Sequence, residues 1–531
     1  MMMGFSLHLL LLFVHLAICS SKQTFPYMTS NVEEVAGRSF DYIVVGGGTA
    51  GCPLAATLSE KFSVLLVERG GSPYGDPFIL ELKYYGYSYL VTDEYTSAAQ
   101  SFVSTDGVPN FRGRVLGGSS AINGGYYGRA SKDFINKVGW DNEGVRDAYE
   151  WVESRIISKP DHLTPWSHAV ALSFVEAGIL PYNGFSLEHI QGTKIGATLF
   201  DNQGRRHLPA DLLPAGNPSK ITVLLNATVD KVIFQRTGKH GTRDEKIAQG
   251  IRFIKSDGSS NQTYEAYLNK PDNSGSWGDV ILSAGALGSP QILLLSGIGP
   301  QEHLKNFEIP LVLNLKGVGE GMQDNAATAL FINYNPRNPT PEHSKAAGIA
   351  DDFKIITEAT IAPASLNGTT VSFFVGKIAF PESVGKLELN STDPRANPSV
   401  TFNYLSSEND LAECVKMTEL LELALRSKSI ASFVGSNEYR NKTMPTKDEL
   451  QELCKTTVRT VYHYHGGCTV GSVVDKNYRV HGVKGLRVID GSTFLESPGT
   501  NPMATVLMLG RYQGLKILQE RKDASFNNPR T

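Results

Sequence analysis

Two groups of residues have the types and spacing to do chemistry. The first is Gly46, Gly48 and Gly51, a G-x-G-x-x-G, with Glu68 seventeen residues beyond the last glycine. Backbone without a Cβ lets a pyrophosphate approach, and the N-terminus of a following helix offers it free N–H groups and a partial positive charge. A carboxylate about 20 residues on can accept hydrogen bonds from ribose hydroxyls. The second group is His463, His465 and Cys468, in VYHYHGGC. An imidazole suits proton transfer near neutral pH. Two histidines and a cysteine also suggest a metal, but a third and fourth ligand at the usual spacing are missing, so no metal is expected. His465-Gly466-Gly467 is similar to a hydrolase oxyanion loop, yet the chain has no G-x-S-x-G elbow: Gly118-Ser119-Ser120 runs on into Ala121. His465 is therefore expected to be a hydrogen-bonded structural neighbour of the active centre.

The elements that must position these residues follow from pattern. Tyr42–Val45 reads as a buried strand running into the glycine turn and a helix, and Phe62–Glu68 as the next strand, which completes a βαβ unit over 39–70. A loop-rich, Tyr-rich stretch follows to about 108, and Gly113–Asn123, GRVLGGSSAIN, reads as a second glycine turn entering a helix. Residues 143–180 read as helical and Ile221–Phe234 as a strand pair, with further strands at Ile251–Ile254 and Glu265–Tyr267. Gly278–Ser283 is a short buried strand leading to a helix over Ser289–Ser296. A long amphipathic helix is expected near 408–427, a strand at Leu486–Asp490 and a helix over 502–519. Nucleotide-type features near 46, 115, 285 and 490 are too dispersed for one contiguous cofactor domain, so that domain must be discontinuous, with the substrate domain inserted. Tyr84, Tyr85, Tyr87 and Tyr89 could line a substrate entrance, although tyrosines commonly pack at a surface with one wet end. Lys239, Arg243 and Lys246 read as a solvated hairpin.

At 531 residues the chain can bury a large core in about two domains. Its net charge of −3, without a basic run, points away from nucleic acid and anionic membranes. Leu7–Cys19 is an apolar run of secretory type, so 1–21 is expected to be a signal peptide, despite an n-region without Lys or Arg. The rest is expected to be secreted, or routed to a vacuole or wall, with no membrane association after signal removal; a monomer is expected. Five N-x-S/T sequons, at Asn226, Asn261, Asn367, Asn390 and Asn441, suit glycosylation in that compartment. If Cys19 leaves with the signal, four cysteines remain and allow three pairings. A Cys414–Cys454 disulfide suits an oxidising compartment, and Cys52 reads as a buried small hydrophobe.

Along nearly its whole mature length the chain resembles the glucose–methanol–choline (GMC) family of FAD oxidoreductases. GRVLGGSSAIN at 113–123 and GALGSPQILLLSGIG at 285–299 look like the family's two signatures, and VYHYHGGC at 461–468 and DGSTFLESPGTNP at 490–502 resemble its active-site ends. Within the family it looks like the plant branch of (R)-mandelonitrile lyase-like and HOTHEAD-like proteins. The resemblance implies an α/β fold (α+β overall): a discontinuous Rossmann-like FAD-binding domain over 39–130, 187–304 and 456–520. The inserted substrate domain, with an antiparallel sheet and helices, would cover 131–186 and 305–455.

It implies FAD rather than NAD. Gly46, Gly48, Gly51 and Glu68 would hold the ADP half, and the Val229 backbone would meet the adenine. Val115, Gly118, Ser119 and Asn123 would lie along the pyrophosphate and flavin. Asp490, Gly491, Asn501 and Met503 would close over the rest. Gly117–Asn123 contains no His, so non-covalent binding is expected. His463 would be the base that takes the hydroxyl proton of an alcohol while hydride leaves carbon for flavin N5. Asn501 stands where relatives carry His or Asn. The plant lyases have a second His there and a Tyr at the place of Val461; both departures favour alcohol oxidation over cyanohydrin cleavage. A nonenzymatic FAD-stabilised wall protein is the third reading.

Overall fold

The computed structural model describes residues 25–237, 245–270, 278–332, 342–343, 345–363 and 370–527. The segment 1–21, Asn367, Lys239 and Arg243 lie outside them. The first layer is a six-stranded sheet in the order Met28–Thr29, Ile221–Leu224, Val64–Val67, Tyr42–Val45, Val280–Leu282, Leu486–Val488. Every pairing in it is parallel. YIVV, VLLV and VIL are apolar without alternation because both faces are covered. One face packs against the helices Gly51–Ser59, Asn142–Ile156 and Met503–Asn527. The other packs against a mainly antiparallel sheet that includes Ala227–Thr237, Glu245–Lys255 and Tyr264–Leu268.

A second, seven-stranded sheet is built from Ala327–Ile332, Thr370–Ile378, Ile355–Pro363, Ala346–Ala350, Gly192–Ile195 and Tyr182–Phe185, with Glu342–His343 beside Ile355–Pro363. One face is covered by the helices Pro165–Glu176, Glu408–Leu425 and Lys447–Thr457. Side chains alternate along a strand. Phe374 and Gly376 face those helices, Gly376 against Met417, while Phe373 and Val375 line the cavity described below.

Three local expectations change. The helical stretch 143–180 is interrupted: Ile157 is extended, and Thr164 and Pro165 start a second helix as N-cap and first residue. The GRVLGGSSAIN turn enters only a 3₁₀ turn, Gly118–Ala121, because Gly117 and Gly118 both have positive φ. The helix expected from Ser289 begins at Gly285, whose N–H donates to Asp490. The segment 187–304 also serves both layers, since Gly192–Ile195 pairs with Ala346–Ala350 in the second sheet.

Cys414 and Cys454 form a disulfide between the helices Glu408–Leu425 and Lys447–Thr457, with Cα atoms 6.1 Å apart. Cys52 and Cys468 are buried free thiols. Replacing Cys414 and Cys454 by Ser should cost about 2–4 kcal/mol, through the freedom the unfolded chain regains. Calorimetry should show a lower Tm with the cofactor content unchanged. An unchanged Tm would mean that packing alone holds this helix pair.

Candidate active site

The carboxyl ends of the parallel strands open into one cavity of about 740 Å³. Val45 and Val67 end their strands there and Ser283 and Asp490 follow theirs, where ligands of open α/β sheets bind. Gly46, Gly48, Glu68, Gly118, Ser119, Asn123, Val229, Asp490, Gly491, Asn501, Met503 and His463 all line it. Gly51 and Val115 do not. A Cβ on Gly51 would lie 1.9 Å from the Gly46 carbonyl oxygen, so Gly51 seats the helix against the turn. Val115 is buried, and its carbonyl accepts the Gly118 N–H at 2.8 Å, which shapes the second turn.

The two glycine turns form a cradle. Gly46 has φ +103°, and a Cβ there would meet Ser283 O at 2.5 Å; a Cβ on Gly118 would sit 2.8 Å from Gly48 Cα. Glu68 is buried beside them, accepting the Gly47 N–H on Oε2 at 2.9 Å and the Gly70 N–H on Oε1 at 2.8 Å. Each oxygen retains a lone pair for a hydroxyl donor. Burial pushes its pKa up against those bonds. Arg69 and Arg112 line the same part of the cavity. Arg112 is buried, its Nη2 has no partner among the described residues, and burial with Arg69 and Arg114 nearby pushes its pKa well down. Arg114 is paired with Asp93 and Arg69 lies beside Glu68, but among the described residues no carboxylate acts on Arg112, so an anionic ligand would compensate it. Glycine cradle, hydroxyl acceptor and uncompensated guanidinium together fit a dinucleotide.

The neighbouring residues hold these groups in place. Asp490 accepts the Gly285 N–H at 2.9 Å, the Ser289 hydroxyl at 2.5 Å and the Ser492 N–H at 2.8 Å. It thus ties the C-terminal strand to the helix Gly285–Leu295. Asn123 accepts from Arg206 Nη1 at 3.1 Å and donates to the Met503 sulfur at 3.3 Å. Arg206, which no motif marks, also donates to the Asn123, Ser120 and Ile79 carbonyls and pins the second turn.

His463 is held by two consecutive residues from a distant loop. Asp324 Oδ1 accepts its backbone N–H at 2.9 Å, and Asn325 Oδ1 lies 3.1 Å from its Nδ1. Asn325 Nδ2 donates to the Ile378 and Ala379 carbonyls at 2.7 and 2.9 Å. Carbonyls only accept, so Asn325 presents its oxygen to His463, and Nδ1 must carry the proton. That leaves Nε2 with the lone pair. Burial, then Lys377, then His465 push the His463 pKa well below 6.5, so the ring is a neutral base. His465 is buried with Nδ1 3.0 Å from the His463 carbonyl oxygen, and burial pushes it down to about 4.

Asn501 Oδ1 accepts from Lys377 Nζ at 2.6 Å. No motif marks Lys377, Asp324 or Asn325; the only sequence signal for Lys377 is a lysine ending an apolar strand. Of the tyrosine cluster, Tyr85 and Tyr89 line the cavity, while Tyr84 and Tyr87 pack against Phe78. Tyr89 stacks on Tyr462 at 6.0 Å and packs on Phe111 at 5.0 Å, giving the cavity an aromatic wall. Among the described residues, no group of three or more His, Cys, Asp or Glu is arranged to hold a metal ion.

A parallel sheet with a dinucleotide cradle at its carboxyl ends, and a neutral imidazole in the same cavity, define a nucleotide-dependent oxidoreductase. The chain belongs to the GMC oxidoreductase family: residues 40–327 match the family's N-terminal model and 381–510 its C-terminal model. It is 41% identical to Protein HOTHEAD of Arabidopsis thaliana, over 91% of this chain and 89% of that one. It is 40% identical to Sinalpyl alcohol oxidase Nec3 of Nesocodon mauritianus, over 92% and 91%. It is 39% identical to (R)-mandelonitrile lyase 2 of Prunus dulcis, over 97% and 94%. The fold matches that of pyridoxine 4-oxidase from Mesorbium loti with a TM-score of 0.75 at 21% identity, covering 90% of this chain and 99% of that one. The protein is thus an FAD-dependent enzyme of the GMC class.

The state of His463 is directly measurable. Its imidazole nitrogen resonances should stay those of a neutral Nδ1–H ring as pH is lowered through about 6.5, the ordinary histidine value. Protonation at that pH would show that burial does not control the ring.

Proposed function

We propose that the enzyme oxidises the CH–OH group of a small aromatic alcohol. The observation that carries this reading is the Asn325–His463 bond, which leaves Nε2 unprotonated on a histidine that lines the cavity. The substrate hydroxyl gives its proton to that nitrogen as the carbinol hydrogen leaves with its electron pair. FAD, when bound, supplies the two-electron acceptor. Gly46, Gly48, Glu68, Gly118 and Val229 would hold its ADP half, and Asp490, Gly491 and Met503 the flavin half, without covalent attachment. Asn501 would donate a hydrogen bond to the substrate oxygen as negative charge grows there. The aromatic wall favours a ring-bearing substrate, as does the likeness to an alcohol oxidase.

One observation favours a second reading, cyanohydrin cleavage. Asn501 cannot itself become cationic, but the buried Lys377 places an ammonium directly behind it, so the site has a charge that the Asn alone lacks. The likeness to mandelonitrile lyases points the same way.

We further propose entry into the secretory pathway. Asn226, Asn261, Asn390 and Asn441 are exposed, as glycosylation requires, and the disulfide suits an oxidising compartment. Among the described residues, no helix is long and apolar enough to cross a membrane. The parallel-sheet layer would bind the cofactor and the seven-stranded sheet would shape the substrate end.

Anaerobic mixing with aromatic primary alcohols should bleach the flavin absorbance. Cyanide and benzaldehyde released from racemic mandelonitrile, with no alcohol bleaching the flavin, would overturn oxidation in favour of cleavage. His463→Ala should cut turnover by about 10²–10⁴-fold while FAD stays bound; retained turnover would remove His463 from the role of base. Asn501→His should raise cyanohydrin cleavage, and no rise would mean that the Asn does not restrain it.

A further inference from the structure

Lys377 is a residue of the second sheet, 2% exposed and far in sequence from every nucleotide signature. Strand pairing sets Lys377 opposite Ile356 and Val375 opposite Glu358, so Lys377 and Glu358 are diagonal neighbours on the cavity face. The Lys377 ammonium lies 3.5 Å from Glu358 Oε1 and 2.6 Å from Asn501 Oδ1. It does not line the cavity, but both of its partners do.

An ammonium has three donors and no acceptor. The Asn501 atom that meets it must therefore be the oxygen, and the amide is fixed with Nδ2 as the end left for a ligand. A positive charge on the oxygen side also polarises the amide and strengthens its N–H donors. Burial pushes the Lys377 pKa down, and the Glu358 carboxylate beside it acts against that shift as counter-charge.

We propose that Lys377 is the positioning residue for the reaction, holding Asn501 so that its amide N–H groups meet the substrate oxygen while His463 Nε2 takes the proton. The same ammonium disfavours a protonated His463, which keeps the base ready. The inference rests on the alcohol-oxidation reading for its kinetic arm, but not for its binding arm.

The test compares the wild-type holoenzyme with Lys377→Met, Lys377→Arg, Asn501→Ala and the Lys377→Met/Asn501→Ala double variant. Benzaldehyde, whose only polar atom is an acceptor, is titrated against the flavin absorbance without turnover. Lys377→Met should weaken benzaldehyde about tenfold, the cost of one lost polar contact. It should lower kcat for an aromatic alcohol by about 10²-fold with KM changed much less. Lys377→Arg, which keeps the charge, should recover part of both. In the Asn501→Ala background, Lys377→Met should add almost nothing, because Lys377 acts through Asn501. Losses that multiply in the double variant would overturn the proposal, as would benzaldehyde affinity unchanged in Lys377→Met. If Lys377→Met yields no flavoprotein, Lys377→Gln serves in the same cycle. If no alcohol bleaches the flavin, the oxidation reading fails, while the benzaldehyde cycle still decides the role of Lys377.

Discussion

Parallel strands cannot be joined by hairpins, and the rest of this structure follows from that constraint. Each neighbour in the six-stranded sheet has to be reached by a crossover of a dozen residues or more. Here the chain leaves after Val64–Val67 and rejoins beside it at Ile221, then leaves after Val280–Leu282 and rejoins at Leu486. Those excursions carry the second sheet and its helices. Every return ends at the same edge, so the turns after Val45, Val67, Leu282 and Val488 converge although they come from distant parts of the sequence. Asp490 closes this arrangement. Its carboxylate satisfies the N-terminus of the helix Gly285–Leu295 and the turn after its own strand at once.

The chemistry depends on a buried polar network in which each group decides the state of the next. The Ile378 and Ala379 carbonyls orient the Asn325 amide, and the amide sets the His463 tautomer. Asp324 holds the same loop by accepting the His463 N–H and the Tyr404 hydroxyl, the latter at 2.6 Å. Burial pushes the Asp324 pKa up to about 6. Because Ile378 ends the strand that carries Lys377 and Ala379 follows it, one strand end orients both His463 and Asn501. The base and the hydrogen-bond donor are thereby registered to a common backbone, and a shift of the second sheet would move both together.

Much of the cofactor end was legible in the sequence because glycine does its work through what it lacks. A missing Cβ leaves the same mark in the sequence as in the structure, which is why Gly46, Gly48 and Gly118 could be placed and are found facing one another. His463 and Asn501 were legible only through resemblance to a family, since neither a Gly-flanked His nor an Asn before Pro carries chemistry by type. Asn325, Arg206 and Lys377 were not legible at all. TVSFFVGKI reads as an apolar strand with a lysine near its end, and such a lysine ordinarily reaches water. It is buried because register sets it on the face of Glu358 and packing seats its ammonium against Glu358 and Asn501, which is a property of register and tertiary packing. The helical reading of 143–180 holds for Asn142–Ile156 and Pro165–Glu176, but helical spacing on either side of Ile157–Thr164 hides the break between them.

The substrate end can therefore be described by charge placement more than by residue type. A second histidine in place of Asn501 could carry the positive charge and make the substrate hydrogen bond in one side chain. Here those two tasks are divided: Lys377 holds the charge, buried and paired with Glu358, and Asn501 makes the contact. The division changes what the charge can do. A cation one amide removed from the substrate polarises a fixed donor, but it cannot give up a proton to a leaving group or close on a small anion. It also repels a second positive charge on His463, so the site favours a single proton acceptor beside an oriented neutral donor. That arrangement suits removal of a hydroxyl proton with hydride departure more closely than the capture of a departing cyanide.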